Sequence, residues 1–499
     1  MTLDEILSAR PSPGKPRKYD FPHFERTVLP SGLQVLTVNV PDRPLVTANL
    51  VIRRGAGDEP ADVAGATVLA ARAMTEGTRR YPGVELIEAA ERLGATLHVE
   101  AGWDVFTASV EVAASRLGAA LELLAELVEQ PTFPEPDVAR LREERLNDLL
   151  QVKADPRRRV DQAFSATIYT VDSPYSRSAA GDEVTVPRLT PDVLRAAHRA
   201  VLDPSRAAVV IGGDLSGLDV PRMVEAVLGS FGVDVGAPSG GSAAGALPAG
   251  AAAGASPAGA AAGADVPRSD SAVDHPIVRF YHRPGSVQTE LRMGHVGVPR
   301  RVPDFHAIQV MAAILGGLFN SRLQMNLRED KGYTYGIGAG FDMRRGAGPF
   351  SVRTAVQTTA TVPSISESLA ELRRIRETAV TAAELAAARD YLVGVFPLRF
   401  ETPGAVVGAL GGLFIQELPD DELARYRREV EAVTIESVQK AAQDHIHPDR
   451  LAIVAVGDAD AVGADLASAG FGELEVITEE IPSEADEAGA VEGAEEGAE

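Results

Sequence analysis

Two periodicities alternate along the chain. "GLQVLTVNV" from Gly32 and "LVTANLVIRRG" from Leu45 switch between apolar and polar positions, the pattern of half-buried strands. Residues 62–76 read as a helix, with nearly every residue from Ala64 to Met74 a good helix former and Arg72 the one charge in the eleven residues before Glu76. "GVELIEAAERLG" predicts an amphipathic helix stopping at Gly94, and "ATLHVEAGWDVFTASVEV" from Ala95 a hairpin. "ASRLGAALELLAELVEQP" predicts a helix that Pro131 ends. The same alternation returns later. "TELRMGHVGVP", "YTYGIGAGFD" and "GPFSVRTAVQT" read as strands, and "FHAIQVMAAILGG", "SISESLAELRRIRE" and "TAAELAAARDYLVGVF" as helices. Small residues at four-residue spacing in "GAVVGALGGLF" predict close helix packing.

An internal repeat organises these elements. "LTPDVLRAAHRAVLDPSRAAVVIGGDL" starts at Leu189 and "VTIESVQKAAQDHIHPDRLAIVAVGDA" at Val433, an ungapped offset of 433 − 189 = 244 residues. Thr190 and Thr434 each stand as the N-cap of a helix with an acidic residue in its first turn. A strand ending in Gly-Asp follows each helix. We therefore expect an α+β protein of two homologous halves, mixed helices and largely antiparallel sheet, without the strict βαβ rhythm of a doubly wound fold. The expected organisation is an N-terminal extension 1–20, a first half 21–235, an Ala/Gly/Ser/Pro linker 236–272, a second half 273–482 and an acidic tail 483–499. A linker of that length suggests halves free to rock.

Composition narrows the function. The 499 residues carry a net charge of −23, and nine of residues 479–499 are acidic with none basic. A negative chain argues against a nucleic-acid partner. No cysteine is present, which excludes disulfides, thiolate metal sites and cysteine nucleophiles. The start lacks a signal-peptide pattern and no stretch has the apolar length of a membrane span, so the expected location is the cytoplasm, with no membrane partner.

None of the nine histidines falls in a spacing that puts two imidazoles on one helix face for zinc. His445 and His447 come closest, but their repeat mates are Val201 and Asp203, so they read as a solvated helix end. Arg157–Arg159 reads as a surface run. "NSRLQMNLREDKGYTYGIGAGFD" carries more: a helix with Arg328 enters a turn at Gly332, then a strand on which Tyr333 and Tyr335 would share a face. A guanidinium fork converging with a phenol hydroxyl offers two donors for a carbonyl oxygen and for the oxyanion formed when it is attacked.

With these residues in view the chain resembles the pitrilysin/insulinase family of zinc metallopeptidases, to which processing-peptidase and respiratory core subunits also belong. The resemblance covers about 25–475 and rests on the paired halves, Leu29 of "LPSGLQVL", the "RGAGDEP" strand end at Arg54, "EGT" at Glu76, "DPSRAAVVIGGDL" and "LREDKGYTYG". It implies that Arg328 and Tyr335 bind substrate backbone and steady the oxyanion. It also implies a His-x-x-Glu-His zinc helix ending before Gly77, but its positions hold Val68, Ala71 and Arg72, and the third ligand falls near Asp148. Catalytic and metal residues are therefore expected to be absent, and no cofactor is expected in this chain. The resemblance implies a non-catalytic subunit whose zinc-bearing homologous partner supplies the metal, with a peptide as substrate. A peptide-binding or assembly scaffold without a peptidase role is the alternative.

Overall fold

A computed structural model describes residues 14, 17–41, 43–232 and 266–479. The acidic tail 483–499 and most of the N-terminal extension lie outside them.

The first half contributes β1 (Phe24–Val28), β2 (Gln34–Asn39), β3 (Leu45–Ile52), β4 (Thr96–Ala101), β5 (Phe106–Ala113) and β6 (Ala207–Gly213). Its helices are α1 (Ala66–Ala73), α2 (Glu85–Leu93), α3 (Leu117–Glu129), α4 (Glu135–Ala154), α5 (Pro156–Ile168), α6 (Pro191–Val201) and α7 (Val220–Leu228). The second half contributes β7 (Ile277–His282), β8 (Gln288–Val296), β9 (Ile337–Phe341), β10 (Pro349–Gln357), β11 (Ala452–Gly457) and β12 (Glu473–Thr478). Its helices are α8 (Phe305–Ala312), α9 (Thr361–Glu377), α10 (Ala382–Val395), α11 (Pro403–Ile415), α12 (Glu422–Ala432), α13 (Ile435–His445) and α14 (Ala459–Ser468).

The sheet orders are β1-β2-β6-β3-β5-β4 and β12-β7-β11-β8-β10-β9. Five strands of each match in order and direction, with one parallel pair, β2–β6 or β7–β11, among antiparallel neighbours. Only the sixth strand differs. β1 arrives by a hairpin before β2, whereas β12 joins β7 in parallel from the far end of the chain. The repeated segments occupy equivalent places: Thr190 and Thr434 cap α6 and α13 through the N–H of Val193 and Ser437, and β6 and β11 are the central strands that follow.

Every residue of β6 and β11 is buried. A strand covered on one face alone would alternate; these are covered on both. The second cover comes from the opposite half. α5 leaves the first half to lie on β8 and β11, where Val160, Phe164 and Ile168 pack with Val454 and Val456. α11 leaves the second half to lie on β3 and β6, where Val406, Val407, Leu410, Leu413 and Phe414 pack with Leu36, Val51 and Val210. The glycines of "GAVVGALGGLF" make that approach possible: a Cβ at Gly411 would stand 3.4 Å from Val51 Cγ1, and one at Gly404 3.5 Å from Thr47 Oγ1. No single helix among the described residues is long and apolar enough to cross a membrane. The apolar surface of α11 is consumed by this exchange.

The exchange ties the halves together, against the expectation that they rock about a linker. A second tie joins equivalent turns. Asp104, in the β4–β5 turn, accepts from Tyr175 OH at 2.7 Å and from Arg345 N–H, in the β9–β10 turn, at 2.9 Å. Tyr169 OH donates to Ala347 O at 2.8 Å. The expected linker also ends earlier than 272. Residues 236–265 are outside the described set, but Ser271 pairs with Tyr169, and Arg268 O accepts from Ser173 Oγ at 2.6 Å. Two serines that read as linker composition satisfy backbone groups there: Ser269 Oγ accepts from Ala347 N–H at 3.0 Å and Ser271 Oγ donates to Val273 O at 2.9 Å.

Candidate functional site

The first-half frame begins at Glu59. Its carboxylate accepts from Gly65 N at 2.6 Å and Thr67 N at 2.9 Å, so it caps α1 from outside the helix. Burial pushes the Glu59 carboxyl above its ordinary value, against the pull of those two N–H groups. This explains the glutamate of "RGAGDEP": it holds the start of the helix on which the zinc residues would sit.

On that helix Ala71 is fully buried and Val68 half-buried, and neither can ligate a metal. Arg72 extends outward and donates to Glu144 Oε2 of α4 at 2.8 Å. Glu144 Oε1 accepts from Arg140 at 2.6 Å, and Arg140 also pairs with Glu76 at 2.7 Å. A ladder of alternating charge thus crosses from α1 to α4. Asp148, one turn beyond Glu144, is held by Arg145 and by Arg158, the latter at 2.6 Å. Burial pushes its carboxyl up, but the two guanidiniums outweigh burial and hold it below the ordinary carboxylate value. Arg145 is itself fixed by Ala180 O, Gly181 O and Ser178 Oγ. A zinc ion needs three protein ligands. Here the positions offer an alkyl group, a methyl, a cation and a carboxylate already shared by two arginines, so these residues do not fit the ion.

Two clusters of three possible ligands exist among the described residues, His282 with Asp458 and Asp460, and Asp304 with Asp444 and His445. Neither is near α1. His445 Nε2 meets Asp304 Oδ2 at 2.8 Å, whereas His447 turns to the His295 ring, with ring centres 5.0 Å apart. The two histidines diverge, and His447 is half-buried rather than part of a solvated end. Of the arginine run, Arg159 is not a surface residue: it pairs with Glu479 and lies over the Tyr281 ring at 4.5 Å.

In the second half, Arg328 sits on a wide helical turn, residues 324–330, closed by a bond of five-residue span from Lys331 N to Asn326 O at 3.0 Å. Such turns are frequent at functional sites. Asn326 Nδ2 anchors the turn to α9 through Glu367 and Glu371, both at 3.0 Å. The Arg328 guanidinium lies over the exposed Phe319 ring at 4.8 Å, with Glu329 3.4 Å from its Nε. Tyr335 is 93% exposed. Both residues line one cleft of about 880 Å³, together with Val287, Thr358 and Thr359. No hydrogen bond joins Arg328 to Tyr335 among the described residues.

The tyrosines do not share a strand face as the alternation predicts. β9 begins only at Ile337. Gly332 adopts φ +66°, and Thr334 Oγ1 accepts from Gly336 N–H at 3.1 Å while donating to Ala355 O at 2.7 Å. This turn sends Tyr333 against the core and Tyr335 into solvent. Phe319, the ring under Arg328, is a contact that pattern reading passes over; its one signal is an aromatic next to the Gly-Gly-Leu that ends an apolar helix.

Comparison with known proteins gives one family. The model for insulinase (peptidase family M16) matches residues 34–182, and that for the peptidase M16 inactive domain matches 188–392. An uncharacterized zinc protease of Streptomyces coelicolor is 25% identical over 428 residues, 84% of this chain and 86% of its own. A non-peptidase homolog, YmxG, of Helicobacter pylori is 20% identical over 419 residues, covering 83% and 89%. Among solved structures, a peptidase M16 inactive domain from Pseudomonas fluorescens has a TM-score of 0.76 at 24% identity, covering 87% of this chain and 98% of that one. A protease from Helicobacter pylori gives 0.74 at 16% identity, covering 88% and 100%. With both halves matched by models of one family and the fold shared, the chain belongs to the insulinase family, peptidase family M16.

Proposed function

We propose that this chain is the non-catalytic, substrate-binding subunit of a two-chain zinc peptidase. The observation that carries the reading is an asymmetry between the halves. The metal position is closed by the Arg72–Glu144–Arg140 ladder, while Arg328 and Tyr335 remain on the wall of an open cleft. A zinc-bearing homologous partner would supply the ion and the base. This chain would supply the guanidinium and the phenol hydroxyl, which donate to a substrate carbonyl and to the oxyanion formed from it. Among the described residues Glu329 is the one carboxylate lining the cleft, so the donors meet little further competition for a peptide carbonyl.

The test uses the purified chain alone and mixed with a zinc-bearing homologue. Alone it should bind no stoichiometric zinc and cleave no peptide. Mixed, it should form a stable complex in which Arg328→Ala or Tyr335→Phe lowers hydrolysis by about 10²-fold. One zinc per chain with hydrolysis by the isolated protein would overturn the reading. The second reading, an assembly scaffold, is favoured by the likeness to a relative named a non-peptidase homolog. A complex whose activity ignores both substitutions would decide for it.

A further inference from the structure

The match between the two sheets extends to the helices around them. α8 follows β8 as α1 follows β3, and α10 packs on α8 as α4 packs on α1. In the first half the space between these helices is bridged by the ion pairs that run from Arg72 through Glu144 to Arg140. In the second half the corresponding place, between α8, α10 and β9, is a hollow of about 520 Å³. Small-molecule sites have volumes of this order. The end of α8 shapes the hollow. Ala313–Gly317 forms a wide turn, closed by Leu318 N–H on Ala313 O at 3.1 Å. It brings Gly316 so close to β9 that a Cβ there would stand 2.4 Å from Ala339 N. Wide turns of this kind are frequent at functional sites.

The lining divides into an apolar body and a few donors. Ile308, Ala312, Leu318, Phe341 and Leu392 supply the body. Arg399, just beyond α10, is exposed and has no carboxylate partner among the described residues. Gln309 Oε1 accepts from Tyr426 OH at 2.9 Å, so what Gln309 has left to offer is its amide N–H₂. Arg300, the second cation, is already held by Glu422 at 2.7 Å and lies over the Phe305 ring. In a chain with 71 acidic and 48 basic residues, no carboxylate lines this hollow among the described residues. Apolar walls, donors and no competing acid together select an amphipathic anion: hydrocarbon leaves water for the body of the hollow, and a carboxylate meets a guanidinium at its edge.

We propose that the hollow between α8, α10 and β9 binds an apolar monocarboxylate of the medium-chain fatty-acid class, its hydrocarbon against Ile308, Leu318 and Phe341 and its carboxylate on Arg399 and Gln309. The site shares no lining residue with the Arg328–Tyr335 cleft and does not rest on the subunit reading above.

The test is isothermal titration calorimetry of the full chain with decanoate, kept below its micelle concentration. One molecule should bind per chain. Octanoate, two methylenes shorter, should bind about tenfold more weakly. Arg399→Gln should weaken decanoate and octanoate about tenfold while leaving 1-octanol unchanged, which separates a lost ion pair from a disturbed fold. Ala312→Leu fills the hollow and should abolish decanoate binding, with circular dichroism and the urea midpoint verifying that the variant folds. Arg328→Ala, in the other cleft, should change decanoate affinity less than about twofold. The absence of saturable binding overturns the proposal, as does binding indifferent to both Arg399→Gln and Ala312→Leu. Octanoate binding as tightly as decanoate would also overturn it, since the hydrocarbon would then lie outside the hollow. So would a chain beginning at residue 17 that alone binds decanoate, because the N-terminal segment would then be the occupant.

Discussion

Leu410→Ala offers a strict test of the helix exchange. Leu410 belongs to the second half by sequence, is 0% exposed, and packs on the first-half sheet with Leu36, Val38 and Val210. Removing its side chain costs the transfer free energy of the lost methyl and methylene groups plus that of the cavity left behind, about 2–5 kcal/mol in well-packed cores. The upper part of that range applies, because the sheet beneath and the helix above are both held rigidly and the site cannot collapse. Two probes follow the loss. Far-UV circular dichroism reports the helices of both halves. The fluorescence of Trp103, the single tryptophan, reports the seam, where its ring meets Tyr175 with centres 5.8 Å apart and Arg344 lies at 5.8 Å. In urea both signals should move together to a lower midpoint, in one transition, because neither sheet keeps its cover once the other half unfolds. Two separated transitions, with the Trp103 signal unmoved by the substitution, would refute the argument that each half is completed by the other.

Other expectations follow from single side chains. Glu59→Ala leaves the Gly65 and Thr67 N–H groups unpaired at the start of α1 and should destabilise by about 1–2 kcal/mol in urea melts; an unchanged midpoint would show that the carboxylate is no cap. His198 and His295 are buried, and burial lowers both to about 4. Their folded values lie below the ordinary 6.5, so the folded state refuses protons that the unfolded chain accepts. Stability is therefore full above pH 6.5 and falls by about 1.4 kcal/mol per pH unit per histidine as pH drops from 6.5 towards 4. Equal urea midpoints at pH 7 and pH 5 would contradict this. Finally, Val68→His with Arg72→His should still fail to hold stoichiometric zinc in metal analysis, because Arg145 and Arg158 occupy Asp148. Adding Arg158→Ala frees one carboxylate oxygen and should raise zinc retention. Full occupancy of the double variant alone would show that the arginines do not compete with the ion.

The sequence made some of this legible and concealed the rest for physical reasons. The duplicated halves could be read because the Thr-capped helix and buried strand after it depend on local rules: a hydroxyl accepting from the third residue, a proline stopping the helix, an apolar run entering a sheet. The vacancy of the zinc helix could be read because ligation demands particular side chains, and Val68 and Ala71 cannot serve. What replaced the ion could not, since Arg72 finds Glu144 72 residues away, and Arg145 and Arg158 reach Asp148 from two helices. The exchange of α5 and α11 left a clue in the all-round apolar character of α11, which demands burial on every side but does not say against which sheet. The strand expected through Tyr333 failed because alternation on paper ignores Thr334, whose hydroxyl bonds to Gly336 and Ala355 and sets the chain in a turn instead.

That turn also bears on function. Had Tyr333 and Tyr335 lain on a regular strand, β9 would extend by several residues and Tyr335 would be fixed by cross-strand neighbours. As it stands, the ladder to β10 ends at Ile337, Thr334 locks the backbone, and the Tyr335 side chain projects free into the mouth of the cleft. Arg328 is held differently, its turn anchored by Asn326 to Glu367 and Glu371 and its guanidinium over Phe319. On the substrate-binding reading proposed above, one donor would be positioned in advance and the other would adjust. A peptide carbonyl reaching the cleft would therefore meet Arg328 first and gather Tyr335 second. On this argument Tyr335→Phe should lower turnover of the partner complex more than its affinity for peptide, whereas Arg328→Ala should impair both. Equal effects of the two substitutions on turnover and affinity would show that the cleft holds its donors as one rigid unit.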